Sequence, residues 1–351
     1  MRKKINAIII SIVILVFVST MFILKGNLNK GKYTEESNGL YVLGLSGTKA
    51  YYYSKNFKLL SEIDLWKAWE LEPVSNNKVY ATIIGTDYKS GREIAVLKNG
   101  RLIKKIPLEY SLPLFAEYNP NDGKAYVAHV CKITKHKENC ITVIDTQHDK
   151  EINNILFDRE VDAITFWGEK MYVSSLDVKD DSPPRIDIFN VEDYSIEKTF
   201  SIDLQMITDI KAVSNDVLYA VNDLSENPEI YVIDCKKGLI MDTIKLPNNN
   251  PYKVFLYKTG EKTKVYVSHY NIDDSGGETI SVIDPYKNQV IKNIEGINCP
   301  ASITFFDNKM VVGDEEKEED AKLFVYDLAK EKVINIIPLE TSPDSIAKAG
   351  E

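Results

Sequence analysis

Arginine is scarce in this chain: five in 351 residues, at positions 2, 92, 101, 159 and 185. Sites that grip phosphorylated substrates favour the two-pronged arginine fork, so that chemistry is disfavoured. Only four histidines occur, spread over His129, His136, His148 and His269. The chain has no Gly-x-Ser-x-Gly, no His-Glu-x-x-His and no phosphate-cradling glycine loop. Nor does it contain a Cys-x-x-Cys-His haem attachment. The catalytic inventory is thin, and no cofactor is expected from it.

Charge is missing from one long stretch. Behind Arg2, Lys3 and Lys4, the run from Ile5 to Leu24 carries none. Twenty such residues in a helix span roughly 30 Å, the thickness of a bilayer core. No A-x-A-like cleavage site follows, and no cysteine stands where a lipid would attach. Residues 1–24 therefore read as a cytoplasmic tip and an uncleaved transmembrane signal-anchor, with a cleaved signal peptide as the alternative. Residues 25–38 form a linker, and 39–351 a single domain outside the cytoplasm, on a single-pass membrane protein. Past residue 32 the chain holds 37 Lys/Arg against 52 Asp/Glu, a net charge of −15. That field repels nucleic acids and anionic membrane surfaces.

What fills the domain is a repeat. Tyr-centred runs recur: "LYV" at 40–42, "VYA" at 79–81, "AYV" at 125–127, "MYV" at 171–173, "LYA" at 218–220 and "VYV" at 265–267. "MVV" at 310–312 closes the series, and the centres lie 39, 46, 46, 47, 47 and 45 residues apart. A period in the forties signals a propeller blade or a helical repeat. Short Val/Ile/Tyr runs between Asn, Asp, Gly and Lys turns exclude helices. Each Tyr run is followed by a strand such as "ITVIDTQ" or "ISVIDPY", then by another such as "QVIKNIEGI". A further strand precedes it, as in "PASITFF". Four strands in each of seven units predict an all-β, seven-bladed β-propeller. The final stretch, "SPDSIAKAG", is a first strand with nothing after it, while the first unit begins at its second strand, "LYVLGL". Ring closure by the C-terminal strand follows, since sheets avoid unpaired edges.

In "PASI" at 300–303, "VYV" at 265–267 and "VID" at 282–284 the chain resembles the YVTN-type propeller repeat. "PDSI" at 343–346 and "VID" at 143–145 match as well. The resemblance extends over about residues 40 to 350 and implies the propeller fold. It leaves function open, because that family includes binding and scaffold proteins as well as some enzymes, lactonases among them.

The strand order sorts the loops onto two faces. First-to-second and third-to-fourth turns are short and share one face. There the recurring Asp145, Asn190, Asp234, Asp284 and Asp327 end the third strand, and they read as turn caps. Second-to-third loops are long, acidic and dissimilar, and they share the other face with the interblade segments. Loops free of structural duty are where binding resides. The linker leaves from the short-turn face, and a flexible tether of 14 residues averages roughly 20 Å. The short turns are therefore expected to point toward the membrane and the long loops away.

Several candidate sites follow. Cys131 and Cys140 flank one long loop and read as a disulfide, as two thiols, or, with His129 and His136, as a metal site. "NIDDSGGE" at 271–278 loosely resembles a calcium loop but lacks its closing glutamate. Trp66 and Trp69, three apart, suit one face of a helical turn, either as an aromatic platform for sugar or peptide or as packing between blades. Asp158, Glu160, Asp203 and Asp344 fall in interblade segments near the channel mouth. The reading is a membrane-anchored binding module for a protein or cell-envelope component. Its competitor is a hydrolase or lactonase whose divalent cation those four acids would hold.

Overall fold

The computed structural model describes residues 38–87, 90–130, 139–177, 182–222, 228–248, 250–260, 262–270, 279–314 and 320–349. The expected transmembrane segment, Cys131, His136 and the 271–278 loop lie outside them. Among the described residues no helix is long and apolar enough to cross a membrane.

Among the described residues, twenty-eight strands form seven antiparallel four-stranded sheets. Blade 1 takes its second, third and outer strands from the start of the domain (Leu40–Gly44, Lys49–Tyr53, Leu59–Asp64). Its inner strand, Pro343–Lys348, comes from the end. Blades 2 to 7 run in chain order, with inner strands Ala68–Val74, Pro113–Asn119, Glu160–Trp167, Asp209–Ser214, Pro251–Thr259 and Pro300–Phe306. The seven units and the closure by the C-terminal strand are as the repeat predicts. At the seam Tyr41 pairs with Ala347 and Val42 with Ile346, and the Ala349 amide donates to the Gly39 carbonyl at 2.8 Å.

The repeated tyrosine works between blades. Tyr41, Tyr80, Tyr126, Tyr172 and Tyr219 are fully buried, because each blade's two faces are covered by its neighbours. Their hydroxyls reach polar groups of turns on the short-turn face, four of them in the next blade. Tyr41 accepts from the Gly100 amide at 2.9 Å, and Tyr80 donates to Asp149 at 2.6 Å. Tyr172 donates to the Asn215 carbonyl and Tyr219 to Asn288 at 2.5 Å, while Tyr126 donates to Asp122 in its own blade. A buried hydroxyl without such a partner would cost a few kcal/mol.

Two of the turns receiving these contacts, those of Asp149 and Asn288, belong to a set built by the Asx residues. Asp145 accepts from the Gln147 amide, Asn190 from Glu192, Asp234 from Lys237, Asp284 from Tyr286 and Asp327 from Lys330. Four residues after the cap the backbone turns left-handed, at Asp149, Tyr194, Gly238, Asn288 and Glu331. The recurring Val-Ile-Asp is thus a strand with its stop signal attached.

Candidate functional site

The inner strands enclose a central cavity of about 1550 Å³. Blade-to-blade hydrogen bonds close its wall. Ser302 accepts from the Ile346 amide, Ser345 from Leu71, Glu72 from Tyr118, Thr165 from Ala212 and Asp209 from Val254. Glu72 and Asp209 therefore do in blades 2 and 5 what a hydroxyl does elsewhere.

Other charges here have no such duty. The inner-strand residues paired with the tyrosine positions are Glu72, Glu117, Thr165, Lys211, Phe255, Thr304 and Ala347. Lys211 of blade 5 meets Glu117 of blade 3 at 2.7 Å, passing over blade 4. Lys253 of blade 6 meets Glu70 of blade 2 at 3.1 Å, on the far side of the ring. Two ion pairs thus cross the bore.

Burial perturbs several acids of the bore. Burial raises Glu72 well above the usual carboxylate range, and the neighbouring Glu117 adds to the shift. Burial likewise raises Glu117 and Asp209 despite the pull of Lys211. Burial works against the Lys211 ammonium, but Glu117 and Asp209 outweigh it and raise its pKa. Lys253 is raised in the same way by Glu70, Tyr252 and Asp209. Such clusters mark functional sites more often than chance, although structural networks produce them too.

Inner strands start on the long-loop face, so their first residues form that mouth. Trp69, Glu70, Tyr252, Lys253 and Asp344 line it, with Leu45 and Tyr270. Trp69 is 46% exposed and the Tyr252 and Tyr270 rings lie 5.0 Å apart. Asp344 has neither hydrogen bond nor ion pair among the described residues. Burial pushes it up to about 6, with Glu70 adding and Lys253 and Lys67 opposing.

Asp344 makes the mouth costly in alkali. Its folded pKa lies above the ordinary carboxylate value of about 3.9, so its protonated form favours folding. That stability is complete below pH of about 4 and is lost as pH rises through about 6. Asp344→Asn should therefore match the parent at pH 4 and exceed it at pH 8. The gain should be about 1–2 kcal/mol, after a discount for partial exposure. Urea melts at the two pH values check this, and parallel pH profiles would refute it.

The predicted residues fare unevenly. Trp69 lies in an extended strand and Trp66 just before it, so the helical turn is corrected. Both are 44–46% exposed, not packed between blades, and Trp69 lines the mouth. The expected convergence of four acids is also corrected, since only Asp344 reaches the cavity. Asp158 turns outward to Arg185, in a two-pronged contact at 2.7 and 3.1 Å that lowers its pKa. Glu160 is half-buried and Asp203 exposed, and neither borders the cavity. Among the described residues no three His, Cys, Asp or Glu are grouped to hold a metal ion.

His129 and Cys140 sit opposite each other on paired strands, and both are buried. The His129 Nδ1–H donates to the Ser111 carbonyl at 3.0 Å, and burial lowers its pKa to about 4, so the ring is neutral at pH 7. Cys131 and His136, the other members of that set, lie outside the described residues. The cavity charges Glu72, Glu117, Lys211 and Lys253 were missed by motif search. Their signal was present: charged residues in inner strands where other blades carry Ser, Thr, Phe or Ala.

No family model matches the chain, and neither does any curated protein. Among solved structures, a functionally unknown protein from Desulfotomaculum acetoxidans DSM 771 is similar with a TM-score of 0.68. The match covers 89% of this chain and 99% of that one, at 13% identity. At that identity the likeness shows the fold alone. A propeller of this kind is compatible with a binding or scaffold module in general.

Proposed function

We propose that the protein is a membrane-anchored, extracytoplasmic binding module without catalytic activity. It engages a protein or cell-envelope component through its long-loop face. One observation carries the reading: on that face a concave mouth combines an exposed Trp69 and a close tyrosine pair with the unpartnered Asp344. Monomeric proteins seldom leave large aromatics in a concavity without use. The uncharged run from Ile5 to Leu24 supports the anchor, and the linker's attachment to the second strand of blade 1 supports turning the mouth away from the membrane.

The test is capture in the native membrane. Photo-crosslinking groups installed at Trp66 and Trp69 are expected to trap one discrete partner. The same groups at Gln147 and Tyr286, on the short-turn face, should trap none. Capture from the short turns alone would reverse the assignment of faces.

A further inference from the structure

The mouth already contains an example of what it can hold. The Lys253 ammonium lies 3.1 Å from Glu70 and 5.7 Å from the centre of the Tyr252 ring. Glu70 and Asp209 both raise its pKa, and it is in turn the main positive charge felt by Asp344. An ammonium between carboxylates and an aromatic face is thus stable here, and among the described residues Lys253 is the one that takes that place. Asp209 is satisfied by the Val254 amide at 2.8 Å and Glu70 by Lys253. The second nearby amine, Lys67, donates to the Ser46 carbonyl at 2.9 Å. Asp344 is left over, in a mouth that the exposed Trp69 and Leu45 also line.

An anion is a poor fit for this opening. It would have to displace Glu70 from Lys253 while lying close to Asp209 and Asp344. A metal ion is a poor fit too, since no three ligating groups converge among the described residues. An alkyl cation answers every feature: its head meets Asp344 and the tyrosine faces, and its stem covers Trp69 and Leu45.

Resting on the binding reading above, we infer that the long-loop mouth recognises an organic cation on an apolar stem: a lysine side chain presented by a protein partner. The Asp344 carboxylate receives the ammonium, and Trp69 packs against the methylenes. A free diamine shares this chemistry and is separated from the peptide by its affinity.

The experiment uses the full-length protein in detergent and three probes: a blocked lysine (Nα-acetyl-lysine N-methylamide), cadaverine and acetate. Binding is read by tryptophan fluorescence and by ligand-observed NMR. The blocked lysine should bind saturably in the millimolar range, at least as tightly as cadaverine, and acetate should not bind. Asp344→Asn and Trp69→Ala should each weaken binding about tenfold or more, whereas Asn121→Ser at the opposite mouth should leave it unchanged. Binding should strengthen from pH 5 to pH 7 as Asp344 ionises against Glu70, Lys253 and Lys67. Asp344→Asn is expected to stabilise the fold, so its loss of binding cannot be ascribed to unfolding. Equal binding by parent and Asp344→Asn, tighter binding of cadaverine, or binding of acetate would each overturn the inference. If the lysine binds but crosslinking at the mouth traps nothing, the ligand chemistry stands and the partner reading falls.

Discussion

Deleting residues 343–351 should abolish cooperative folding of the propeller. The deleted strand is the inner wall of blade 1, with five residue pairs to Leu40–Gly44. Ile346 is 5% exposed, and Ala347 and Ala349 are fully buried. The same strand joins three blades, because the Leu71 amide donates to Ser345 and the Ile346 amide to Ser302. At about 1 kcal/mol per hydrogen bond and about 2 for the buried isoleucine, the loss exceeds about 5 kcal/mol. That is comparable with the whole stability of an ordinary domain, about 5–15 kcal/mol. It also exposes the edge of Leu40–Gly44, a template for aggregation. A single sharp melt should give way to an early, broad one, with rapid proteolysis near residue 40. Removing only Gly350 and Glu351 should change nothing. An unaltered melt after the larger deletion would mean that the ring does not depend on its seam.

That seam was legible in the sequence, and the reason is physical. A strand needs a partner, so a chain that starts at a second strand and stops after a first strand has one economical solution. The blades were legible because burial on both faces imposes the same apolar run at the same place in each unit. The turn caps could be read because Asx side chains act locally, within three residues. The two ion pairs across the bore could not, since Glu70 and Lys253 stand 183 residues apart. Nothing in either strand states which blade lies opposite. Glu117 and Lys211 were nonetheless marked as charges in a row that holds Thr, Phe or Ala in four other blades. Asp158 shows the converse error. It lies in the right kind of segment, but Arg185 of blade 4 draws it outward, a choice that segment position does not reveal.

Lys211→Met should destabilise the protein by about 3–5 kcal/mol at pH 8, the usual cost of leaving a buried charge without its partner. Lys211 and Glu117 are 19% and 27% exposed, so solvent screens the pair little. Methionine keeps the volume of the stem but leaves Glu117 facing Glu72 and Asp209 without a cation. Glu117 is already raised by burial with Lys211 present, and its loss raises it further. The folded variant then binds a proton that the unfolded chain, with an ordinary glutamate value of about 4.3, has already released. Stability must fall as pH rises through the new folded pKa and must return in acid. At pH 5 the deficit should shrink to about 1–2 kcal/mol, most of it lost hydrogen bonding. Adding Glu117→Gln should restore most of the loss at pH 8, because the orphaned charge is then gone. Glu117→Gln alone should be milder, since Asp209 and Glu72 still face the Lys211 ammonium. Urea melts of the four proteins at both pH values give the full cycle. A deficit independent of pH, or a double variant worse than Lys211→Met, would show that the crossing pair is not what makes these acids tolerable inside the ring.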